Sequence, residues 1–276
     1  MNSKRLVESV AYFFKPQREP VVSEALVHSI VELSNSLGAR PLFFTALGAG
    51  FELDDCCAFS DDTAGLELWE NPIPNRKTEL LDALRRNTIL GIGFDVPLPT
   101  ARCRSEWSFS FYFYPGLGRV YCGALATEMT KASLLLRTYE IASRFFDVRY
   151  GFAYCMPLGD EPDCYAYGSP RTSLADLRQW LATRSTESRV PATDDECWRR
   201  ELEGPRRHLE GLFRDAYPLN VVSSAHVRRA ALESAGIGLL KKLDESHWLW
   251  EIDEEHLSDA SDYLARGQSL VRQQYI

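Results

Sequence analysis

Serine, histidine and aspartate residues around His226 are of the types that perform nucleophilic catalysis. Ser223 and Ser224 lie just before this histidine, and Asp244 follows further along the chain. Such catalysis needs a nucleophile, a base and an orienting group in contact. No Gly-x-Ser-x-Gly elbow accompanies these residues, and a serine at the start of a helical stretch is typical of a helix cap. The pattern favours a structural role, and a hydrolase or transferase with an unrecognised site is the alternative.

Metal and cofactor sites have weaker signals. Acidic residues separate Cys155 from Cys164, but the sequence contains no Cys-x-x-Cys and no His-Glu-x-x-His. Its Gly-x-Gly pairs lack the third glycine and the acidic residue that a dinucleotide site requires. The aspartates between residues 54 and 62 do not have the spacing of a calcium-binding EF-hand loop. We therefore expect no metal and no cofactor.

The charge of the chain is concentrated in two segments. The 276 residues include 31 Lys and Arg against 39 Asp and Glu, a net charge of −8, which excludes a conventional basic nucleic-acid binder. Residues 51–70 contain seven acids and residues 243–264 contain eight, and neither segment has a Lys or Arg. Residues 101–150 instead carry seven cations and four acids. The molecule is therefore polarised.

Aromatic residues lie inside both acidic segments. A run of like charge is typical of a solvated face, but aromatic anchors beside a charged rim are typical of a protein interface. We therefore predict a protein partner with a basic surface, and no nucleic-acid partner. The predicted partner-binding residues are Glu52, Asp54, Asp55, Phe59, Asp61, Asp62, Trp69 and Glu70 in the first segment, and Trp248, Trp250, Asp253 and Glu254 in the second.

Hydrophobic periodicity predicts the elements that position these residues. Helices are expected over residues 21–37, from a cap at Thr78 to residue 86, and over 131–146 with Thr130 as the cap. Strands are expected at residues 41–47, 89–96, 107–113, 120–125 and 148–156, the third and fourth forming a hairpin. In residues 107–113, alternation predicts one face that carries Trp107 and every second residue up to Phe113. The fold class is α+β, a mainly antiparallel sheet with helices packed on one face.

The chain becomes more polar after residue 168. One helix, capped by Ser173, is expected within the polar stretch 171–192, and a charged helical stretch over 194–214 is expected to be interrupted at Gly204-Pro205. The tail predicts a strand at 217–222, a helix at 226–234, a strand at 248–252 and a helix at 254–267. We predict an α+β core domain (1–168), a helical connector (169–214) and a small C-terminal α/β lobe (215–276), the last being either a second lobe or an extension of the first sheet.

The expected compartment is the cytoplasm. The N-terminus has no apolar run that would form a signal-peptide core, and the longest apolar stretches are far shorter than the ~18 residues of a membrane helix. The seven cysteines are odd in number and unevenly spaced, which is typical of reduced thiols. We expect no membrane partner, and the sequence leaves the oligomeric state open.

The acidic, motif-poor α+β pattern resembles bacterial immunity proteins, and more narrowly those paired with restriction-endonuclease-fold nuclease toxins, such as those delivered by type VI secretion. The resemblance lies in residues 10–14 (Val-Ala-Tyr-Phe-Phe), the aromatic strand 107–113 with its Pro-Gly turn, and residues 148–152. It implies a non-catalytic inhibitor that binds its cognate toxin and blocks the active site or a surface needed for assembly. A general interaction or regulatory protein is a further alternative.

Overall fold

The computed structural model describes residues 6–14, 22–38, 43–51, 57–59, 75–98, 107–114, 118–125, 130–157 and 210–270. These residues form one large antiparallel sheet with helices, so the predicted α+β class is confirmed. The strands are β1 Leu6–Phe14, β2 Phe43–Leu47, β3 Cys57–Ala58, β4 Gly91–Pro97, β5 Trp107–Tyr114, β6 Arg119–Leu125, β7 Val148–Pro157, β8 Leu219–Ser223, β9 Leu239–Lys242 and β10 His247–Glu251. The helices are α1 Glu24–Ser36, α2 Lys77–Arg85, α3 Lys131–Phe145, α4 Ser224–Arg229 and α5 Leu257–Arg266.

The C-terminal strands extend the sheet that the N-terminal strands begin. The strand order is β3-β2-β4-β5-β6-β1-β7-β8-β10-β9, and β7 pairs with β8 in antiparallel register. Of the two arrangements left open for the tail, the structure therefore shows the extension. The hairpin of β5 and β6 is confirmed. The helix predicted within residues 171–192 lies outside the described residues. Residues 210–214 form a turn and an isolated bridge, where the helical stretch 194–214 was expected to end.

Helices α1 to α3 cover one face of the sheet, as predicted for this part of the chain. Alternate residues of β1 point to this face, and Tyr12 donates a hydrogen bond to the Leu135 carbonyl of α3 over 2.6 Å. The Thr130 side chain accepts from the backbone N–H of Ser133, which confirms it as a cap. The prediction for Thr78 is wrong, because α2 begins at Lys77 and Thr78 lies inside it. The residue at the N-cap position is Arg76, which makes no side-chain cap.

The opposite face of the sheet is covered by α4 and α5. The other alternate residues of β1 point here, beside buried residues of both helices such as Val227 and Leu264. Phe213 and Trp250 are fully buried in this cluster, with their ring centroids 5.5 Å apart. The helix expected at 226–234 is interrupted, because Ala231 has a φ of 48° and a short 3-10 turn, Leu232–Ser234, follows it. The two cores together fix the C-terminal strands to the rest of the sheet.

A β-bulge in β5 corrects the expected aromatic face. Phe109, Phe111 and Phe113 lie in the core under α1 to α3, but Trp107 lies on the opposite side against Tyr121. The register shifts by one residue between Val96 and Pro97, so that Ser108 is the extra residue on β5. Side chains alternate along a strand, so one inserted residue reverses the face on which the side chains before it lie relative to those after it.

Strands β1, β3 and β9 were not predicted from the sequence. The first is the central strand of the sheet. Its residues from Val10 to Phe14 are apolar on both faces, so they lack the alternation that marks a half-buried strand. At its centre Tyr12 lies across Gly151 of β7, where a Cβ atom would come within 2.3 Å of the ring. In the described part of the chain, no helix is long and apolar enough to span a membrane.

Candidate protein-binding surface

An open cleft lies where the edge of the sheet meets the start of the C-terminal helices. Its volume is about 540 Å³. One wall is the loop before β9 with Leu239, and the other is the end of β10 with the 3-10 turn Glu254–His256 and the start of α5. The lining residues are Gly236, Ile237, Gly238, Leu239, Glu251, Asp253, His256 and Asp259.

The backbone of the loop before β9 is held against β10. The indole N–H of Trp250 donates to the Ile237 carbonyl over 2.9 Å. Gly238 has a φ of 71°, and a Cβ atom there would lie 2.3 Å from the Glu251 carbonyl oxygen. Glycine is the residue that tolerates both the positive φ and this close approach. Contacts with β10 and the buried Trp250 therefore hold this wall of the cleft in place.

Carboxylates dominate the rim of the cleft and the helix beside it. Asp253, Glu254, Glu255, Asp259 and Asp262 are all exposed. Two ion pairs occur at this surface, Lys241–Glu251 at 2.5 Å and Lys131–Glu254 at 3.2 Å. Among the described residues, Asp253, Asp259 and Asp262 have no Lys or Arg partner.

One large apolar side chain, that of Leu239, is exposed in the cleft that Asp253 and Asp259 line. Leu239 is 55% exposed, and the exposed large apolar residues of the described chain otherwise reach at most 49%. We define the C-terminal acidic surface as this leucine together with the carboxylates of Glu251, Asp253, Glu254, Glu255, Asp259 and Asp262. Its chemistry is suited to a partner that carries cations beside an apolar group.

The predicted residues of the second segment have different environments. Asp253 lines the cleft, and Glu254 is exposed beside it. Trp248 is half-buried against the core under α4 and α5. Trp250 is fully buried, so its indole holds the cleft wall and is not exposed for contact with a partner. The exposed apolar residue at this surface is therefore Leu239 and not the tryptophan that the sequence pattern indicated.

Of the predicted residues in the first segment, the structure describes Phe59. Its ring packs edge-on against Phe94, with centroids 5.4 Å apart, and the Lys77 ammonium lies 5.5 Å from its centroid. Phe59 is half-buried against the core. The predicted residues outside the described chain are Glu52, Asp54, Asp55, Asp61, Asp62, Trp69 and Glu70.

A polar network fixes the turn between β9 and β10 to the rest of the protein. Asp244 accepts hydrogen bonds from the Tyr139 hydroxyl of α3 and from the backbone N–H groups of Ser246 and His247. His247 also lies 2.7 Å from the Val148 carbonyl through its Nε2. Burial raises the pKa of the Asp244 carboxyl, but the hydrogen bonds from Tyr139, Ser246 and His247 outweigh it and hold the pKa below its ordinary value. The hairpin that carries the cleft is thus anchored to α3 and β7.

The serine and histidine considered for catalysis form a buried pair. Ser223 Oγ lies 2.9 Å from His226 Nδ1, and His226 Nε2 lies 3.2 Å from the Leu212 carbonyl. The carbonyl requires a proton on Nε2, so Nδ1 accepts from the serine hydroxyl. Ser223 occupies the N-cap position but makes no capping hydrogen bond, since its hydroxyl bonds the imidazole. Burial lowers the pKa of His226 to about 4, although the bond to the Leu212 carbonyl opposes the shift.

The comparisons with known proteins concern the fold. No family model matches the chain, and no curated protein matches it. The fold is similar to that of a solved structure, the Pseudomonas aeruginosa T6SS protein PA0821, with a TM-score of 0.52 and 12% identity. The similarity covers 95% of this chain and 72% of that protein. This chain therefore shares its α+β fold with a protein of the type VI secretion system.

Proposed function

We propose that this chain is a non-catalytic immunity protein that binds and neutralises a cognate antibacterial toxin of a type VI secretion system. The observation that carries the proposal is the C-terminal acidic surface, where Asp253 and Asp259, which have no Lys or Arg partner among the described residues, line the same cleft as the exposed Leu239 at the edge of the sheet. The shared fold with a T6SS protein supports the secretion-system context. The toxin acts in the cytoplasm, where the immunity protein meets it.

The charge of the surface favours a cationic toxin, and we propose that the toxin is a nuclease. Asp253, Asp259 and Asp262 are exposed and have no Lys or Arg partner among the described residues, and a basic partner would offset like charge that accumulates at such a surface. Nucleases bind the phosphate backbone through Lys and Arg, so an acidic protein competes for the same side chains. Charge complementarity of this kind accelerates association, and contact with Leu239 slows dissociation.

A non-catalytic role also agrees with the burial of Ser223 and His226. Ser223 is 7% exposed and His226 is 0% exposed, so a substrate does not reach the pair in this structure. Both imidazole nitrogens are engaged, one by the serine hydroxyl and the other by a backbone carbonyl. The hydrogen bonds of this pair have a structural role, because they join β8 to the loop at Leu212.

Co-expression with the toxin encoded beside this chain tests the proposal. Cells that produce the toxin with the wild-type chain are expected to grow, and the two proteins are expected to co-purify. The variant Asp253→Lys/Asp259→Lys is expected to lose protection. A matched control, Glu32→Lys/Glu140→Lys, makes the same change in net charge at exposed positions of α1 and α3, and it is expected to protect. Absence of toxin binding by the wild-type chain would exclude the proposed function.

A further inference from the structure

Strand β9 is the last strand in the order of the sheet. Within the described chain it pairs with β10 on one side, and no strand is paired with its other side. An edge strand with unpaired backbone groups is a template for the addition of a strand from another chain. The edge lies beside the cleft, since Leu239 belongs to both.

The register shows which backbone groups of β9 face outward. Leu243 donates its backbone N–H to the His247 carbonyl over 2.9 Å, so these two residues form a hydrogen-bonded pair. Such pairs alternate along an antiparallel ladder, which places Lys241 and Leu239 in hydrogen-bonded pairs with β10. Leu240 and Lys242 therefore direct their N–H and C=O groups away from β10. Among the described residues these four outward groups have no hydrogen-bond partner.

The charges beside the edge favour a cationic occupant. Lysines protect an edge strand from unwanted pairing. The Lys241 ammonium is bound by Glu251 at 2.5 Å, and the exposed Lys242 lies at the end of β9 away from the cleft. The carboxylates of Asp253 and Asp259 lie along the cleft beside the strand. An extended segment with Lys or Arg at alternate positions would bond the edge and direct its cations to these carboxylates.

A second copy of this chain fits the edge less well. Two copies paired antiparallel through the outward groups of Leu240 and Lys242 would place Lys241 directly opposite its own equivalent. The two C-terminal acidic surfaces would also lie on the same composite sheet. Like charges directly opposite across strands are destabilising.

We propose that β9 receives an extended cationic segment of the toxin as an added strand, beside the C-terminal acidic surface. The proposal rests on the proposed function, since it names the surface and the binding mode through which the toxin is held. Backbone hydrogen bonds to Leu240 and Lys242 give the segment its register. The carboxylates of the cleft select its charge.

A proline substitution tests the strand addition. Lys242→Pro removes one outward N–H and places a ring on the edge, while the N–H groups that bond β10 remain. We expect it to weaken binding of the adjacent gene's toxin, purified in a catalytically inactive form, by about tenfold or more. Lys242→Ala keeps the N–H and removes a cation, so we expect it to bind no more weakly than the wild type. Unfolding midpoints of both variants report whether each is folded.

Hydrogen exchange on the wild-type complex provides a second measurement that needs no variant. The amide protons of Leu240 and Lys242 are expected to exchange at least tenfold more slowly in the complex than in the free chain. Unchanged exchange at both amides would overturn the strand addition, as would equal affinities of the proline and alanine variants. If charge reversal still weakens binding in that case, the proposed function stands without the added strand. A dimer of this chain that Lys242→Pro dissociates would assign the edge to self-association and also overturn the proposal.

Discussion

The buried imidazole of His226 predicts how the stability of the fold depends on pH. Its pKa is about 4 in the folded protein and about 6.5 in the unfolded chain, chiefly because burial disfavours the charged ring. Above pH 6.5 the ring is neutral in both states and the stability contribution is complete. As the pH falls below 6.5 the unfolded chain binds the proton first, and stability is lost until the folded ring is protonated near pH 4. The difference between the two pKa values corresponds to about 3 kcal/mol.

A variant isolates this contribution from those of other titrating groups. His226→Gln keeps an N–H that reaches towards the Leu212 carbonyl but does not titrate. Urea unfolding of both proteins gives the wild-type stability minus the variant stability at each pH. We expect this difference to fall by about 3 kcal/mol between pH 7 and pH 4. A difference that stays constant over this range would refute the assignment of a buried, neutral imidazole.

Two further predictions concern packing and the hairpin anchor. Gly151→Ala is expected to lower the free energy of unfolding by about 2 kcal/mol with an unchanged urea m-value, because the added Cβ would lie 2.2 Å from the buried ring of Tyr12. A free energy of unfolding within about 0.5 kcal/mol of wild type would show that the ring moves freely. Asp244→Asn is expected to lower the thermal midpoint by about 3–6 °C, because the charged acceptor of the Tyr139 hydroxyl is lost. An unchanged midpoint by calorimetry would mean that solvent replaces this network without cost.

Local signals predicted the parts of the fold that depend on local chemistry. The Thr130 cap and the hairpin pairing of β5 with β6 follow from capping residues and strand patterns, and both were confirmed. The side of the sheet on which Trp107 lies was missed, because a single extra residue in β5 reverses it and no sequence pattern marks that bulge. Strand β1 was missed since both its faces are buried.

The sequence indicated the negative charge of the candidate site but not which apolar residue is exposed beside it. The acid-only segment 243–264 indicated the C-terminal acidic surface, and Asp253 lies in the cleft. Trp250 was selected as an anchor because aromatic residues are common at interfaces, but the tertiary fold buries it. Leu239 was not selected, because exposure of a leucine depends on the position of its strand at the sheet edge. Sequence composition locates charge along the chain, and the fold decides which apolar residue accompanies it.

Calorimetric titration of the inactive toxin into this chain at low and high salt tests the central claim most directly. If the C-terminal acidic surface binds the toxin, Asp253→Lys/Asp259→Lys weakens binding at least tenfold at low salt and flattens its salt dependence. Glu32→Lys/Glu140→Lys, with the same net charge, keeps the affinity within about twofold of wild type. Equal affinities and equal salt dependences for the two variants would contradict the account, because net charge alone, and not this surface, would then govern binding.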